Sequence, residues 1–123
     1  MMRFIIALVL SIVAVAPAGA GDLFSRTELR CEIKHGGKWD FGVEPPELKP
    51  MPPAFYRIHA IDLDAQIAHS GPDYDASMVA VRGSRSIVFA RKATTLIVLA
   101  KPEIPGFPAI FTSVEIQRSG YCR

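Results

Sequence analysis

The chain is 123 residues long, half of its residues are apolar, 21% are charged, and its formal net charge is +2 at pH 7. This length allows one domain with a modest core and excludes a Rossmann-type or (β/α)-barrel enzyme, a multidomain assembly and a repeat array. The apolar content excludes extended disorder, and the near-neutral charge argues against a nucleic-acid partner.

Residues 1–20 have the pattern of a secretory signal peptide. Arg3 is followed by an apolar run over residues 4–16, which Pro17 ends before the small residues Ala-Gly-Ala at 18–20. The run has 13 residues, whereas a membrane-spanning helix needs about 20. We therefore predict a signal peptide over 1–20 and a single periplasmic or secreted domain over 21–123, with no transmembrane segment after cleavage.

Export would place the chain's two cysteines, Cys31 and Cys122, in an oxidising compartment. In an oxidising compartment two cysteines most simply form one disulfide. A bond between them closes a loop of roughly 92 residues, for which chain entropy gives about 4–5 kcal/mol of stabilisation. Neither cysteine has a C-x-x-C partner or a histidine at metal-ligand spacing, so we predict no metal site.

Apolar and polar residues alternate with a period of two from Thr27 onward, which predicts β-strands. The first strand, Thr27–Lys34, is predicted to turn at Gly36-Gly37 into a return strand, Trp39–Val43. The segment Glu44–Pro53 contains five prolines and is predicted to be a stiff connector. Phe55–Ala68 is predicted to be one strand whose slip of phase indicates either a β-bulge near Ala60 or a strand that turns a corner. Its apolar spacing leaves an amphipathic helix as the alternative.

Four further strands are predicted, Ser77–Arg82, Ser86–Ala90, Thr95–Ala100 and Ile110–Ile116, with Thr95–Ala100 covered on both faces. Seven short strands and two proline-rich connections indicate an all-β fold. The prediction is a small antiparallel sandwich or barrel of about seven strands, closed by the disulfide.

The sequence carries no known catalytic motif, such as Gly-x-Ser-x-Gly, a phosphate-binding glycine loop or His-Glu-x-x-His. His35, His59 and His69 are predicted to be surface or turn residues. We therefore expect a protein that is not an enzyme and that has no cofactor.

Two carboxylate pairs, Asp62/Asp64 and Asp73/Asp75, each have the two-residue spacing that puts side chains on one face of a strand. Oxygen ligands of this kind suit Ca²⁺, but no complete calcium-loop pattern is present. The pairs are interpreted as solvated strand ends. A hydrolase that uses Asp62 and Asp64 for catalysis is kept as a further functional alternative.

Positive charge is concentrated in the second half of the chain. Residues 76–123 carry seven Lys/Arg and two Asp/Glu, whereas residues 21–75 carry six and ten. Arg82, Arg85, Arg91 and Lys92 fall in or beside consecutive predicted turns. These four residues form either one continuous stripe along a sheet edge or two separate clusters, which we call poles. Their charges either complement the acidic half of the chain within one sheet or face an anionic partner such as lipid headgroups, acidic glycans or an acidic protein.

The order of Cys31, Ser70-Gly71, Tyr74 and Cys122 resembles that in periplasmic C-type lysozyme inhibitors, which are small exported β-barrels with a Ser-Gly-x-x-Tyr stretch. The resemblance implies that the loop with Ser70, Gly71 and Tyr74 enters a lysozyme cleft. The family's later Trp/Lys-Gly segment has no counterpart here. The leading hypothesis is a non-enzymatic binding or interaction module of the cell envelope, whose partner is an unknown protein or envelope component; lysozyme inhibition is the alternative.

Overall fold

A computed structural model describes residues 20–71, 77–101 and 105–123. These residues form one short helix and nine strands: α1 (Ala20–Ser25), β1 (Leu29–Asp40), β2 (Glu47–Pro50), β3 (Ala54–Asp62), β4 (Ile67–Ser70), β5 (Ser77–Arg82), β6 (Ser86–Arg91), β7 (Thr94–Leu99), β8 (Phe107–Ser113) and β9 (Ile116–Cys122). The all-β prediction is confirmed.

Eight of the strands close into an antiparallel barrel, because β9 pairs with β8 on one side and returns to β1 on the other. The first half of β1, Leu29–Ile33, pairs with β3, and its last residues, Gly37–Asp40, pair with β2 along the same edge. β2 is therefore an extra, fully exposed strand outside the barrel. The structure is a barrel, which decides between the two predicted architectures.

The disulfide between Cys31 and Cys122 is present, as predicted. The two cysteines are directly opposite each other on β1 and β9, with their Cα atoms 3.9 Å apart, and both are buried. The bond therefore joins the first and last strands at the seam where the barrel closes.

The two ends of the barrel differ. At one end, which we call the closed end, α1 covers the interior, and its Leu23 is completely buried. The Arg26 guanidinium lies 5.7 Å from the centre of the Phe107 ring, and that of Arg82 lies 4.1 Å from the Phe24 ring. The opposite end, which we call the open end, carries the β6–β7 and β8–β9 turns.

The predicted hairpin turn at Gly36-Gly37 is wrong, because β1 continues through both residues to Asp40. Gly36 has a φ of +81° and follows an irregularity in the pairing with β9. A Cβ on Gly36 would overlap the carbonyl oxygen of Gln117, and one on Gly37 that of Lys49. The glycines thus mark a bulge and a close approach of neighbouring strands rather than a turn.

The predicted β-bulge near Ala60 is confirmed by a register shift between His59 and Asp62 and by a φ of 50° at Ala60. The segment Phe55–Ala68 is nevertheless two strands, β3 and β4, so both the single strand and the helix alternative are wrong. The turn between them has no glycine or proline; the Ala65 amide donates to Asp62 Oδ1 at 3.0 Å, which shapes it locally.

Three other predicted elements also need correction. The predicted strand Ile110–Ile116 covers the end of β8, a turn and the start of β9. The proline-rich segment Glu44–Pro53 contains the edge strand β2, which a 3.0 Å ion pair between Lys49 and Asp40 ties to β1. The strand predicted at Thr95–Ala100 is not covered on both faces: Leu96 and Val98 are buried and Ile97 is only half-buried, because none of the described elements forms a second layer outside this part of the barrel.

Candidate functional site

The open end of the barrel contains a cavity of about 390 Å³. Its floor is apolar and buried, since Ile58 and Phe89 are each 1% exposed and Leu96 is 6% exposed. Its apolar lining comes from β3, β5, β6, β7 and β8, namely Tyr56, Ile58, Met78, Phe89, Leu96 and Phe111. Among the described residues, side chains thus fill the interior at the closed end and leave a cavity at the open end.

The sheet register explains why these side chains meet. Phe89 on β6 is opposite Leu96 on β7, and Leu96 is opposite Phe111 on β8. Residues directly opposite each other in an antiparallel pair point to the same face. Because Phe89 and Leu96 point into the barrel, Phe111 does as well, and all three side chains contribute to the cavity wall.

Two stacked rings, Tyr56 on β3 and Phe111 on β8, limit the cavity on the side of β1 and β9, and their centres are 5.4 Å apart. No described residue of β1 or β9 lines the cavity. On β9, the buried Arg118 uses Nη2 to donate hydrogen bonds to the carbonyl oxygens of Met51 and Pro52, at 3.2 and 2.8 Å. This contact holds the β2–β3 connection against the open end.

The polar part of the lining is Ser70, Thr94, Arg91 and Lys92. Arg91 is the last residue of β6, opposite Thr94, and Lys92 begins the turn that follows. Both cations are exposed at the rim. Within the described ranges, neither forms an ion pair, and the cavity lining contains no aspartate or glutamate.

The four predicted basic residues lie in two separate places. Arg91 and Lys92 line the cavity, whereas Arg82 and Arg85 lie at the other end of β6, at the closed end. Arg82 packs over the Phe24 ring there. Of the two arrangements considered, the structure therefore has two poles rather than a continuous stripe.

The predicted interaction loop is described only in part. Ser70 lines the cavity, and the Gly71 amide donates to the Arg57 carbonyl oxygen at 3.1 Å. Tyr74 lies outside the described residues. The lysozyme-inhibitor role of this loop stays a prediction. Ser70, the polar side chain in the described part of the loop, belongs to the cavity lining.

The remaining candidates do not form a site in the described part of the chain. Asp62 and Asp64 lie at the β3–β4 turn of the closed end, and Asp73 and Asp75 are outside the described residues. No group of three or more His, Cys, Asp or Glu side chains that could hold a metal ion occurs within residues 20–71, 77–101 and 105–123.

The prediction for one of the three histidines is wrong. His59 is only 6% exposed, and its Nε2 lies 2.8 Å from the Gly71 carbonyl oxygen. Its ring centre is 6.1 Å from that of His69, the residue opposite on β4. His59 immediately precedes the bulge at Ala60, where the pairing of β3 with β4 is irregular.

The fold and the cavity together define a class of protein: a small disulfide-closed antiparallel β-barrel with one closed end and an apolar cavity at the other. Comparisons with protein families, with curated proteins and with solved structures found no match to this chain. Within the described residues, no helix is long and apolar enough to span a membrane.

Proposed function

We propose that the protein is a non-enzymatic binding module that takes up a small, largely apolar molecule at the open end of its barrel. The observation that carries this proposal is the cavity of about 390 Å³ with its buried apolar floor. The interior of an eight-stranded barrel is wide enough either to be filled by side chains or to hold one small ligand. Small-molecule sites are typically apolar concavities of roughly 300–1,000 Å³.

The expected affinity follows from the apolar lining. A ligand that buries about eight methylene groups gains roughly 6 kcal/mol from removal of apolar surface from water, at about 0.8 kcal/mol per group. Taken alone, such a gain would correspond to a Kd of roughly 40 µM. Association also costs translational and rotational freedom, so we expect apolar ligands of this size to bind with a Kd of roughly 40 µM or weaker.

A substitution that fills the cavity tests the proposal. We expect Met78→Trp to abolish binding of the neutral fluorescent probe N-phenylnaphthylamine, because Met78 lines the cavity and the larger side chain occupies it. The matched control is Val79→Trp, since Val79 is the next residue of β5 and is 50% exposed. Binding is measured by fluorescence titration, with circular dichroism to verify the fold. Equal probe affinity in the two variants, or no binding to the wild type, would contradict the proposal.

We also propose that the protein is exported and acts in the periplasm or outside the cell. The leader pattern of residues 1–20 supports this, as does the bonding of both cysteines to each other. The ligand is then a component of the cell envelope or its surroundings.

For the full chain expressed in a bacterial host, we expect intact mass spectrometry of the periplasmic fraction to show a chain that starts near Gly21. Its mass should be lower than that of the reduced form by the mass of two hydrogen atoms, because disulfide formation removes one hydrogen from each thiol. An uncleaved, reduced chain confined to the cytoplasm would disprove the export proposal. A variant with Ala18 and Ala20 replaced by arginine is the control, since large charged residues block the cleavage site.

A further inference from the structure

We infer that the ligand of the open-end cavity is an anionic amphiphile: an apolar chain or ring system that lies in the cavity and a carboxylate or phosphate group that pairs with Arg91 and Lys92. This inference rests on the proposed function and specifies the chemical class of the ligand. It is argued from the charge and the position of the lining residues.

The charge of the lining is one-sided. Among the described residues that form the cavity wall, the two ionisable ones at neutral pH are Arg91 and Lys92, and neither has a carboxylate partner within the described ranges. The exposed cations Arg30, Lys34, Lys49 and Arg57 lie within 4.0 Å of a carboxylate. Lys38, Arg85 and Arg123 are also exposed and in none of these ion pairs. What distinguishes Arg91 and Lys92 is that they lie on the wall of an apolar cavity. The rim of the cavity is therefore a place where cationic donors face an uncharged apolar interior.

The position of Arg91 relates this charge to the apolar floor. On β6, Phe89 and Arg91 are two residues apart and point to the same face, so Arg91 follows Phe89 toward the mouth of the barrel, and both line the cavity. Lys92 extends the cationic rim by one residue, and Thr94 lies opposite Arg91 with its hydroxyl 3.2 Å from that of Ser113. A ligand whose apolar part contacts Phe89 and Leu96 thus has its outer end beside the two cations.

The chemistry of the two cations determines the head group. A guanidinium presents paired N–H donors that match the two oxygens of a carboxylate or phosphate, and the ammonium of a lysine adds a further donor. A neutral alcohol or amide makes weaker hydrogen bonds with the same donors and leaves the cations without a counter-charge. The rim therefore discriminates by charge, and the floor binds the rest of the molecule without regard to its exact shape.

The inference is tested with two probes of equal chain length, decanoate and decanol, which displace N-phenylnaphthylamine; decanoate is used below its micelle concentration and decanol below its solubility limit. Wild-type protein is expected to bind decanoate about tenfold more tightly than decanol, the ratio that one charge-assisted contact supplies. In the double variant Arg91→Gln, Lys92→Gln, the two affinities should become equal while the affinity for decanol stays unchanged. Monodecyl phosphate serves as a third probe, and a preference for either acid over decanol supports the inference and identifies the head group.

The control double variant is Arg85→Gln, Arg123→Gln. It also removes two positive charges, but from exposed positions of the closed end. It should retain the tenfold preference, because these residues are far from the cavity. If the wild type binds decanoate, monodecyl phosphate and decanol equally, the inference is overturned while the proposed function stays intact. Loss of the preference in the control variant would also overturn it, since the effect would then come from net charge. If neither probe displaces the dye and the dye itself does not bind, the proposed function fails as well.

Discussion

Replacement of Cys31 and Cys122 together by serine is expected to lower the free energy of unfolding by about 4 kcal/mol. The cysteines are 91 residues apart in sequence, and a cross-link over a loop of that length removes much of the conformational entropy of the unfolded chain. The bond also joins β1 to β9, the pair whose contact closes the barrel. A loss of this size is comparable to the whole stability of a small domain.

The measurement is urea-induced unfolding followed by circular dichroism, with reduced wild-type protein as the control. The double serine variant should unfold at the same or a slightly lower urea concentration than the reduced wild type, because both lack the cross-link and serine places hydroxyl groups at two buried positions. A difference of less than about 1 kcal/mol between oxidised wild type and the variant would show that the seam between β1 and β9 is held without the bond.

The second large effect is expected at Gly120, which lies in β9 directly opposite Ile33 of β1. A Cβ at this position would overlap the carbonyl oxygen of Glu32 and lie 2.7 Å from the Cα of Ile33. Both contacts are with backbone, so no side-chain rotation relieves them and the two strands must separate. We expect Gly120→Ala to destabilise the protein by about 3 kcal/mol, the upper part of the range for overpacking.

Gly83→Ala is the matched control, because Gly83 lies in the exposed β5–β6 connection and its added Cβ would meet chiefly the Ser86 side chain, at 3.1 Å. Its stability should stay within about 0.5 kcal/mol of that of the wild type. Urea unfolding of the two variants side by side measures the difference. Similar midpoints for both would mean that β1 and β9 are not in close backbone contact at Gly120.

Local alternation in the sequence was sufficient to predict the fold class. The strand Ser77–Arg82 was predicted with its exact limits, and the slip of phase at Ala60 correctly indicated a bulge. The reason is that a strand with one face inside a barrel has to alternate apolar and polar residues, and this period is visible without any knowledge of neighbours. The pairing of Cys31 with Cys122 follows from their number together with the predicted export to an oxidising compartment.

The predictions failed where a turn lacks the residues that usually mark one, or where such residues are present for another reason. The β3–β4 and β8–β9 turns use Gln66 and Glu115 at φ of 57° and 61°, in place of the glycine or asparagine that usually marks such positions. Conversely, Gly36 and Gly37 have the composition of a turn but serve the close approach of strands. Such contacts join residues that are distant in sequence, so a local pattern does not contain them.

The sequence by itself thus determined the β-rich character of the domain and its single disulfide, because both depend on residue type and local period. The tertiary structure alone decided that the strands close into a barrel, that α1 covers one end, and that the other end retains a cavity. Tyr56, Phe89 and Phe111 come from three different strands and meet only through the register of the barrel. The same fold separates Arg91 from Arg85, although they are only six positions apart in the sequence, because a strand places its two ends on opposite sides of the molecule.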